Sequence, residues 1–161
     1  MIVNKISGLF KSKVKMEKKI YNTVESVLQK AGLRYTTEEE YIFLFGIKGK
    51  HANFDVRMIC EEEIEVLMTI VSGSACVPED KIDCMCRWIA EKNYGLTLGE
   101  FKLDPSDGEL SFRITCPLDK GAINEDIVLV SYVNAVNTFD DSYEEIIKTI
   151  YLENVSDEEE D

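Results

Sequence analysis

A hairpin-forming stretch from Asn93 to Cys116 constrains the fold of this chain more than any other segment. Its turn, Asp104-Pro105-Ser106-Asp107-Gly108, joins a proline that presets φ to a glycine that accepts a positive φ. After the turn, apolar and polar residues alternate strictly, which is typical of a strand with one buried face. The apolar positions of this strand are Leu110, Phe112, Ile114 and Cys116.

Three segments ahead of this hairpin predict an antiparallel meander. Tyr41 to Ile47 is a nearly continuous apolar run, and the polar segment Thr36 to Glu40 before it predicts a turn. In the second segment Phe54, Val56, Met58 and Cys60 alternate with polar residues. In the third, after the acidic bend Glu61-Glu62-Glu63, the residues predicted to share a face are Ile64, Val66, Met68 and Ile70.

Three helices complete the predicted fold. The first runs from Met16 to Ala31, and the second opens at Val77-Pro78, where a proline and acidic residues suit a helix N-terminus. A third helical region runs from about Glu125 to Leu152, with a break predicted at Asp140-Asp141-Ser142. The predicted buried positions are Ile82, Met85, Cys86 and Ile89 in the second helix, and Val130, Val133, Asn134, Val136, Tyr143, Ile146, Ile147 and Ile150 in the third.

The resulting order, α-β-β-β-α-β-β-α, predicts an α+β fold in which helices pack on an antiparallel sheet. We divide the chain into a basic leader (1–15), one domain (16–152) and an acidic tail (153–161) that is expected to be disordered. Sheet edges in such a fold need covering, and dimerisation would cover them.

Charge is distributed unevenly along the chain. The whole chain carries 31 acidic and 18 basic residues, a net charge of −13, whereas Met1 to Lys19 holds six lysines and one glutamate. An acidic body disfavours nucleic-acid binding, because phosphate contacts depend on clustered lysine and arginine. We therefore expect no nucleic-acid partner.

The leader permits two interpretations. Its apolar residues are interrupted and precede the lysines, which is the reverse of a secretory signal, so we expect a cytoplasmic protein with reduced thiols. Ile2, Ile6, Leu9 and Phe10 could form one face of a short basic helix at a membrane surface. The favoured interpretation is a segment that packs on the body or on a partner chain, without membrane contact.

The sequence predicts no catalytic residue, no cofactor and no metal site. Residues two apart on a helix diverge by about 200°, so the thiols of Cys84 and Cys86 separate, with Cys86 expected in the core and Cys84 partly exposed. His51 is expected in an exposed turn. Arg57 and Arg113, on predicted wet strand faces, would pair with neighbouring acids or with a partner's carboxylates. The alternative is a small metal- or thiol-dependent enzyme that uses His51 and the cysteines.

The hairpin and the helix before it resemble the bacterial YbjN family. The residues that carry the resemblance are Asn93, Gly99, Phe101, Leu103, Asp104, Gly108, Glu109, Leu110, Phe112 and Arg113, with Asp141, Tyr143 and Ile147 downstream.

The resemblance implies a fold similar to that of the small acidic chaperones of type III secretion, which are homodimers that bind extended segments of client proteins. It also implies a role in stress or sensory regulation without an enzymatic activity. Together with the absence of an assembled catalytic set, it predicts a non-enzymatic, cytoplasmic, homodimeric protein-binding module with an unidentified protein client.

Overall fold

A computed structural model describes residues 18–120 and 122–151. The leader (1–15) and the tail (153–161) therefore lie outside the described residues. Within these two ranges the chain forms three α-helices and six strands. In chain order they are α1 (Lys19–Lys30), β1 (Thr36–Glu38), β2 (Ile42–Lys48), β3 (Asn53–Glu61), β4 (Val66–Cys76), α2 (Ile82–Gly95, preceded by a 3-10 turn, Glu79–Lys81), β5 (Glu100–Leu103), β6 (Glu109–Pro117) and α3 (Glu125–Tyr151).

The strands form one antiparallel sheet in the order β1-β2-β3-β4-β6-β5. This arrangement confirms the predicted α+β fold with helices on a sheet. One strand was not predicted. Thr36–Glu38, which was expected to be part of a turn, pairs with β2 as an edge strand. All three of its residues are exposed, so the strand lacks the apolar alternation by which a sequence reveals a half-buried strand.

The helices cover one face of the sheet, and the core lies between them and that face. On β3 the predicted inward residues Phe54, Val56, Met58 and Cys60 are all buried, and on β6 Leu110, Phe112 and Ile114 are buried too. The aromatic rings of Trp88 on α2 and Phe139 on α3 lie against Phe101 of β5. The helices and the buried strand residues are therefore on the same side.

The predicted face of β4 is the opposite of its buried face. Leu67, Thr69 and Val71 are fully buried, whereas Ile64 is exposed. Val66, Met68 and Ile70 do share a face, as predicted, but only half-buried and on the side away from the helices. Apolar residues occupy both phases of this strand, so periodicity alone cannot decide which phase enters the core.

Helix α3 is continuous through the predicted break at Asp140-Asp141-Ser142. Asp140 and Ser142 are both buried in it, and the Asp140 carboxylate accepts hydrogen bonds from a neighbouring loop rather than ending its own helix. The buried stripe of the first half was also predicted wrongly. Its buried residues are Val128, Ser131, Ala135 and Phe139, while Val130, Val133 and Asn134 are exposed.

The turn of the β5–β6 hairpin is fixed by a close approach of two backbone segments. The Val77 N–H donates to the Gly108 carbonyl at 2.9 Å. Gly108 has a φ of +76°, and a Cβ at this position would overlap the backbone of Val77. Glycine is therefore required here by both its conformation and its size, and the contact ties the hairpin to the start of α2.

A hydrogen bond between two buried hydroxyl groups fixes the position of α3 on β4. The Oγ1 of Thr69 and the Oγ of Ser131 lie 2.6 Å apart, and both residues are fully buried. We expect Thr69→Val to lower the free energy of unfolding by about 1–3 kcal/mol, because it leaves the Ser131 hydroxyl without its partner. Urea unfolding followed by circular dichroism measures the change.

The matched variants are Ser131→Ala and the double variant Thr69→Val with Ser131→Ala. Removal of both partners leaves no buried hydroxyl unsatisfied, so the double variant should lose less stability than the sum of the two single losses. Strict additivity of the three values would show that the pair is not coupled.

Candidate functional site

The face of the sheet away from the helices, here called the open face, is the candidate functional site. Cross-strand partners point to the same side of a sheet, so the register defines its rows. Ile42, Ile59 and Met68 stand side by side on β2, β3 and β4. In the next row Leu44, Arg57, Ile70 and Arg113 stand side by side on β2, β3, β4 and β6.

An apolar patch occupies the centre of the open face. Its residues are half-buried by their neighbours in the sheet, and none of them packs against the core cluster. In the part of the chain that the structure describes, no helix lies over them. An uncovered group of large aliphatic side chains on a sheet marks an interaction site more often than a chance exposure. The patch consists of Ile42, Leu44, Ile59, Val66, Met68 and Ile70.

Two arginines flank this patch: Arg113 is hydrogen-bonded to a glutamate, whereas Arg57 is exposed. Arg113 donates from its Nη2 to Glu100 Oε1 at 2.7 Å, and this hydrogen bond is the chief reason why the pKa of Glu100 is lowered. The Arg113 Nε is buried without a hydrogen-bond partner among the described residues. Arg57 is exposed between Leu44 and Ile70, in position to reach a carboxylate outside the sheet.

A concavity of about 500 Å³ lies at the side of the patch nearest the β5–β6 turn. Leu44 and Ile70 form its apolar wall, and Asp55, Arg57 and Glu109 supply charged groups. The mixed lining suits a side chain of a protein or peptide, which presents apolar and polar atoms together.

The two edges of the sheet differ in accessibility. At β5, the Asn93 side chain donates to the Phe101 carbonyl at 3.1 Å and accepts from the Phe101 N–H at 2.8 Å. The amide therefore occupies the backbone groups with which another strand would pair. At the other edge, the short strand β1 is exposed along its whole length, and edge strands of this kind accept added strands.

One end of the sheet, here called the acidic end, gathers glutamates from two turns. It is formed by the β1–β2 turn and the β3–β4 turn, and the start of α1 lies between them. Lys18 Nζ pairs with Glu40 at 3.1 Å, and the backbone N–H of Tyr21 donates to Glu62 at 2.9 Å. The acidic end comprises Glu38, Glu39, Glu40, Glu61, Glu62, Glu63 and Glu65.

His51 is not the exposed turn residue that was predicted. Its side chain is only 18% exposed, and its Nδ1 lies 2.9 Å from the Asp140 carbonyl and 3.1 Å from the Asp140 carboxylate. That carboxylate also accepts the backbone N–H groups of Lys50 and His51. The arrangement ties the β2–β3 loop to α3, so His51 and Asp140 form a structural contact.

The cysteines lie in separate environments. Cys60 is buried in the core, where burial and the carboxylates of Glu62 and Glu61 raise its pKa to about 12. On α2, Cys84 is partly exposed, as predicted, but Cys86 is exposed rather than in the core, because Met85 takes the core position. Cys76 is exposed and Cys116 is half-buried. A thiol with a raised pKa is a poor nucleophile.

His51 and the cysteines do not form a metal site in this structure. Within residues 18–120 and 122–151, no three or more histidine, cysteine, aspartate or glutamate side chains are placed to hold a metal ion together. None of the helices in these ranges is long and apolar enough to cross a membrane.

From the sequence we expected an exposed sheet face or groove to bind a client, but the residues of the open face and the role of Asp140 were not identified. The signal for the open face was present, since β4 is apolar on both of its phases and only one phase can face the helices. Asp140 gave no such signal, because an acidic pair inside an apolar helix pattern resembles a helix break until the loop that it binds is known.

The antiparallel sheet and its one-sided helical cover define an α+β fold that solved chains from two protein complexes share. One chain of the ExsC–ExsE complex superimposes with a TM-score of 0.58 at 13% identity, covering 78% of this chain and 92% of that chain. A chain of the HopA1–SchA chaperone–effector complex gives a TM-score of 0.56 at 11% identity, covering 79% and 95%.

The family is identified by sequence. The model of the YbjN family, described as "Putative bacterial sensory transduction regulator", matches residues 21–148, and the chain belongs to this family. A comparison with curated proteins finds no match. The hairpin and helix residues from Asn93 to Arg113 thus identified the family correctly.

The contact between Asp140 and the β2–β3 loop predicts a pH-dependent contribution to stability. Burial raises the pKa of Asp140, but hydrogen bonds from Lys50 and His51 outweigh it and hold the pKa below its usual value. The contribution is therefore present above the ordinary aspartate pKa of about 3.9 and is lost as the pH falls through the lowered value. Asp140→Asn should lower the free energy of unfolding at pH 5 by about 1–3 kcal/mol.

The measurement is urea unfolding at pH 5 and pH 3 for wild type, Asp140→Asn and the control Asp141→Asn, which changes an exposed neighbour. The difference in free energy of unfolding between wild type and Asp140→Asn should be smaller at pH 3 than at pH 5. The control should have the same free energy of unfolding as wild type at both pH values. An equal gap at both values would contradict the assigned role of the carboxylate.

Proposed function

We propose that this protein is a non-enzymatic protein-binding module that holds an extended segment of a client protein against its open face. The observation that carries the proposal is the apolar patch on the sheet, which no described helix covers. The likeness of the fold to chains from chaperone–effector and related complexes supports it.

The two edges of the sheet and its open face suggest how a client would lie. The accessible β1 edge offers main-chain hydrogen bonds, whereas Asn93 has taken those of β5. Aliphatic side chains of the client would rest on the patch, and a carboxylate of the client would reach Arg57. Recognition of this kind takes affinity from the main chain and selectivity from the side-chain positions.

We also propose that the protein is a homodimer through the outer face of α3. From Ile127 to Phe139 the helix contains no charged residue, and on its outer side Leu129, Val130 and Val133 are 41%, 52% and 44% exposed. Two copies of a chain with a net charge of −13 repel each other over most of their surface. An apolar face without charge is where such copies can approach.

The cellular setting is part of the same proposal. The five free thiols suit a reducing cytoplasm, and the family description supports a role in sensory or stress regulation. In that setting the protein would act by holding a client, and neither nucleic acid nor a membrane would be its partner.

Client binding is tested by a charge at the centre of the open face. We expect Ile70→Glu to abolish capture of the client for two reasons. It removes an aliphatic side chain from the centre of the patch, and the new carboxylate stands beside Arg57, where it would pair with the guanidinium that is proposed to reach the client. The protein is immobilised, exposed to native lysate, and the retained proteins are compared by quantitative mass spectrometry. The control, Ala90→Glu, places the same charge on an exposed site of α2.

Proteins retained by wild type and by Ala90→Glu but lost with Ile70→Glu would identify clients of the open face. Urea unfolding must show that both variants keep stability within about 1 kcal/mol of wild type, as expected for uncovered positions. Identical sets of captured proteins for all three would contradict the proposed function.

The dimer is tested separately. Val133→Glu places two carboxylates at the centre of a symmetric α3 interface, so we expect it to shift the protein to a monomer. Light scattering coupled to gel filtration measures the mass, with Ala90→Glu again as the control. A wild type that is monomeric at about 100 μM, or a Val133→Glu variant that stays dimeric, would contradict this interface.

A further inference from the structure

The chain itself contains a segment with the composition that the open face requires. Residues 1–17 hold four lysines and one glutamate, together with the apolar residues Ile2, Val3, Ile6, Leu9 and Phe10. The segment is thus basic and apolar, while the surface beside its point of attachment is acidic and apolar. Complementary charge and complementary hydrophobicity favour association, and the covalent link raises the effective concentration.

The point of attachment lies at the acidic end. Lys18 is anchored to Glu40, and α1 starts between Glu40 and Glu62. On the open face, Glu38 pairs in register with Ile42 and Glu61 with Val66, so each glutamate borders the apolar patch. A chain that leaves Lys18 around this end therefore meets glutamates first and aliphatic side chains next.

The distances permit the contact. Neighbouring strands lie about 4.8 Å apart, so β2 to β4 spans about 10 Å. An extended chain advances about 3.3 Å per residue, and a helix advances about 1.5 Å per residue. Seven residues separate Phe10 from Lys18, so an extended segment spans about 26 Å between them. That length is enough to pass around the end of the sheet and reach Met68, whereas a helix of the same residues spans only about 12 Å. The docking therefore requires residues 11–17 to be extended.

We propose that residues 1–17 dock on the open face as an intramolecular occupant, with Leu9 and Phe10 on the patch around Met68 and with lysines facing Glu38 and Glu61. The proposal rests on the proposed function in one respect: the docked segment then competes with the client for the same surface. Client binding is consequently regulated by displacement of the leader, and a client must outcompete a tethered ligand.

The test uses the full chain with Phe10 replaced by p-benzoylphenylalanine, a photo-crosslinking residue. After irradiation, peptide mass spectrometry should locate the crosslinks within one chain, on β2 to β4, chiefly at Met68. The double variant Glu38→Lys with Glu61→Lys should lower their yield by about threefold at low salt, since each lost pair is surface-exposed. The control Glu91→Lys reverses an exposed charge on α2 and should leave the yield unchanged.

Crosslinks on α3, in the acidic tail or between two chains would overturn the proposal, and so would equal yields for the Glu38/Glu61 variant and its control. Competition with the client is measured separately by the capture experiment from native lysate. The double variant Leu9→Asp with Phe10→Asp should retain about threefold more of those proteins that wild type captures and Ile70→Glu does not. If crosslinks reach Met68 but Ile70→Glu loses no protein, the docking stands and the proposed function fails. If Ile70→Glu loses proteins but no crosslink reaches the open face, the proposed function stands and the docking fails.

Discussion

The seating of α3 on one side of the sheet is the constraint on which the rest of the structure depends. Near the middle of α3, Asp140 accepts hydrogen bonds from the β2–β3 loop, and nine residues earlier the hydroxyl of Ser131 contacts that of Thr69 in the core. The Phe139 ring packs edge-on against Phe54 between these contacts. Buried polar groups that are hydrogen-bonded fix one arrangement of the packed layers, and in this arrangement none of the described helices lies on the other face of the sheet.

The same constraint explains which parts of the fold could be predicted. Strands β3 and β6 alternate cleanly between apolar and polar residues, so their inward sets followed from the sequence. Strand β4 and the first half of α3 are apolar on both sides, because each contacts the core with one side and exposes aliphatic residues on the other. A single sequence shows that both sides are apolar, but only the packing shows which side is inside.

The buried polar residues were not foreseen from the sequence for a related reason. Thr69, Ser131 and Asp140 are buried, although serine, threonine and aspartate ordinarily favour exposed positions. Each is satisfied by a partner far away in sequence, and one chain without its coordinates gives no sign of such a partner. His51 was predicted wrongly for the same reason, since its burial depends on Asp140.

An apolar open face carries a risk of self-association that the chain's charges reduce. Asn93 occupies the backbone groups of Phe101 at the β5 edge, so among the described strands another copy is left only the three-residue edge β1, for which the client would compete. Glu38 and Glu61 border the patch, and the net charge of −13 makes two copies of the chain repel each other. A basic, apolar segment is not repelled in this way, because the negative charges that repel another copy of the chain attract its lysines. The charges around the patch thus favour a basic segment over another copy of the chain, so the face can bind such a segment without causing self-association.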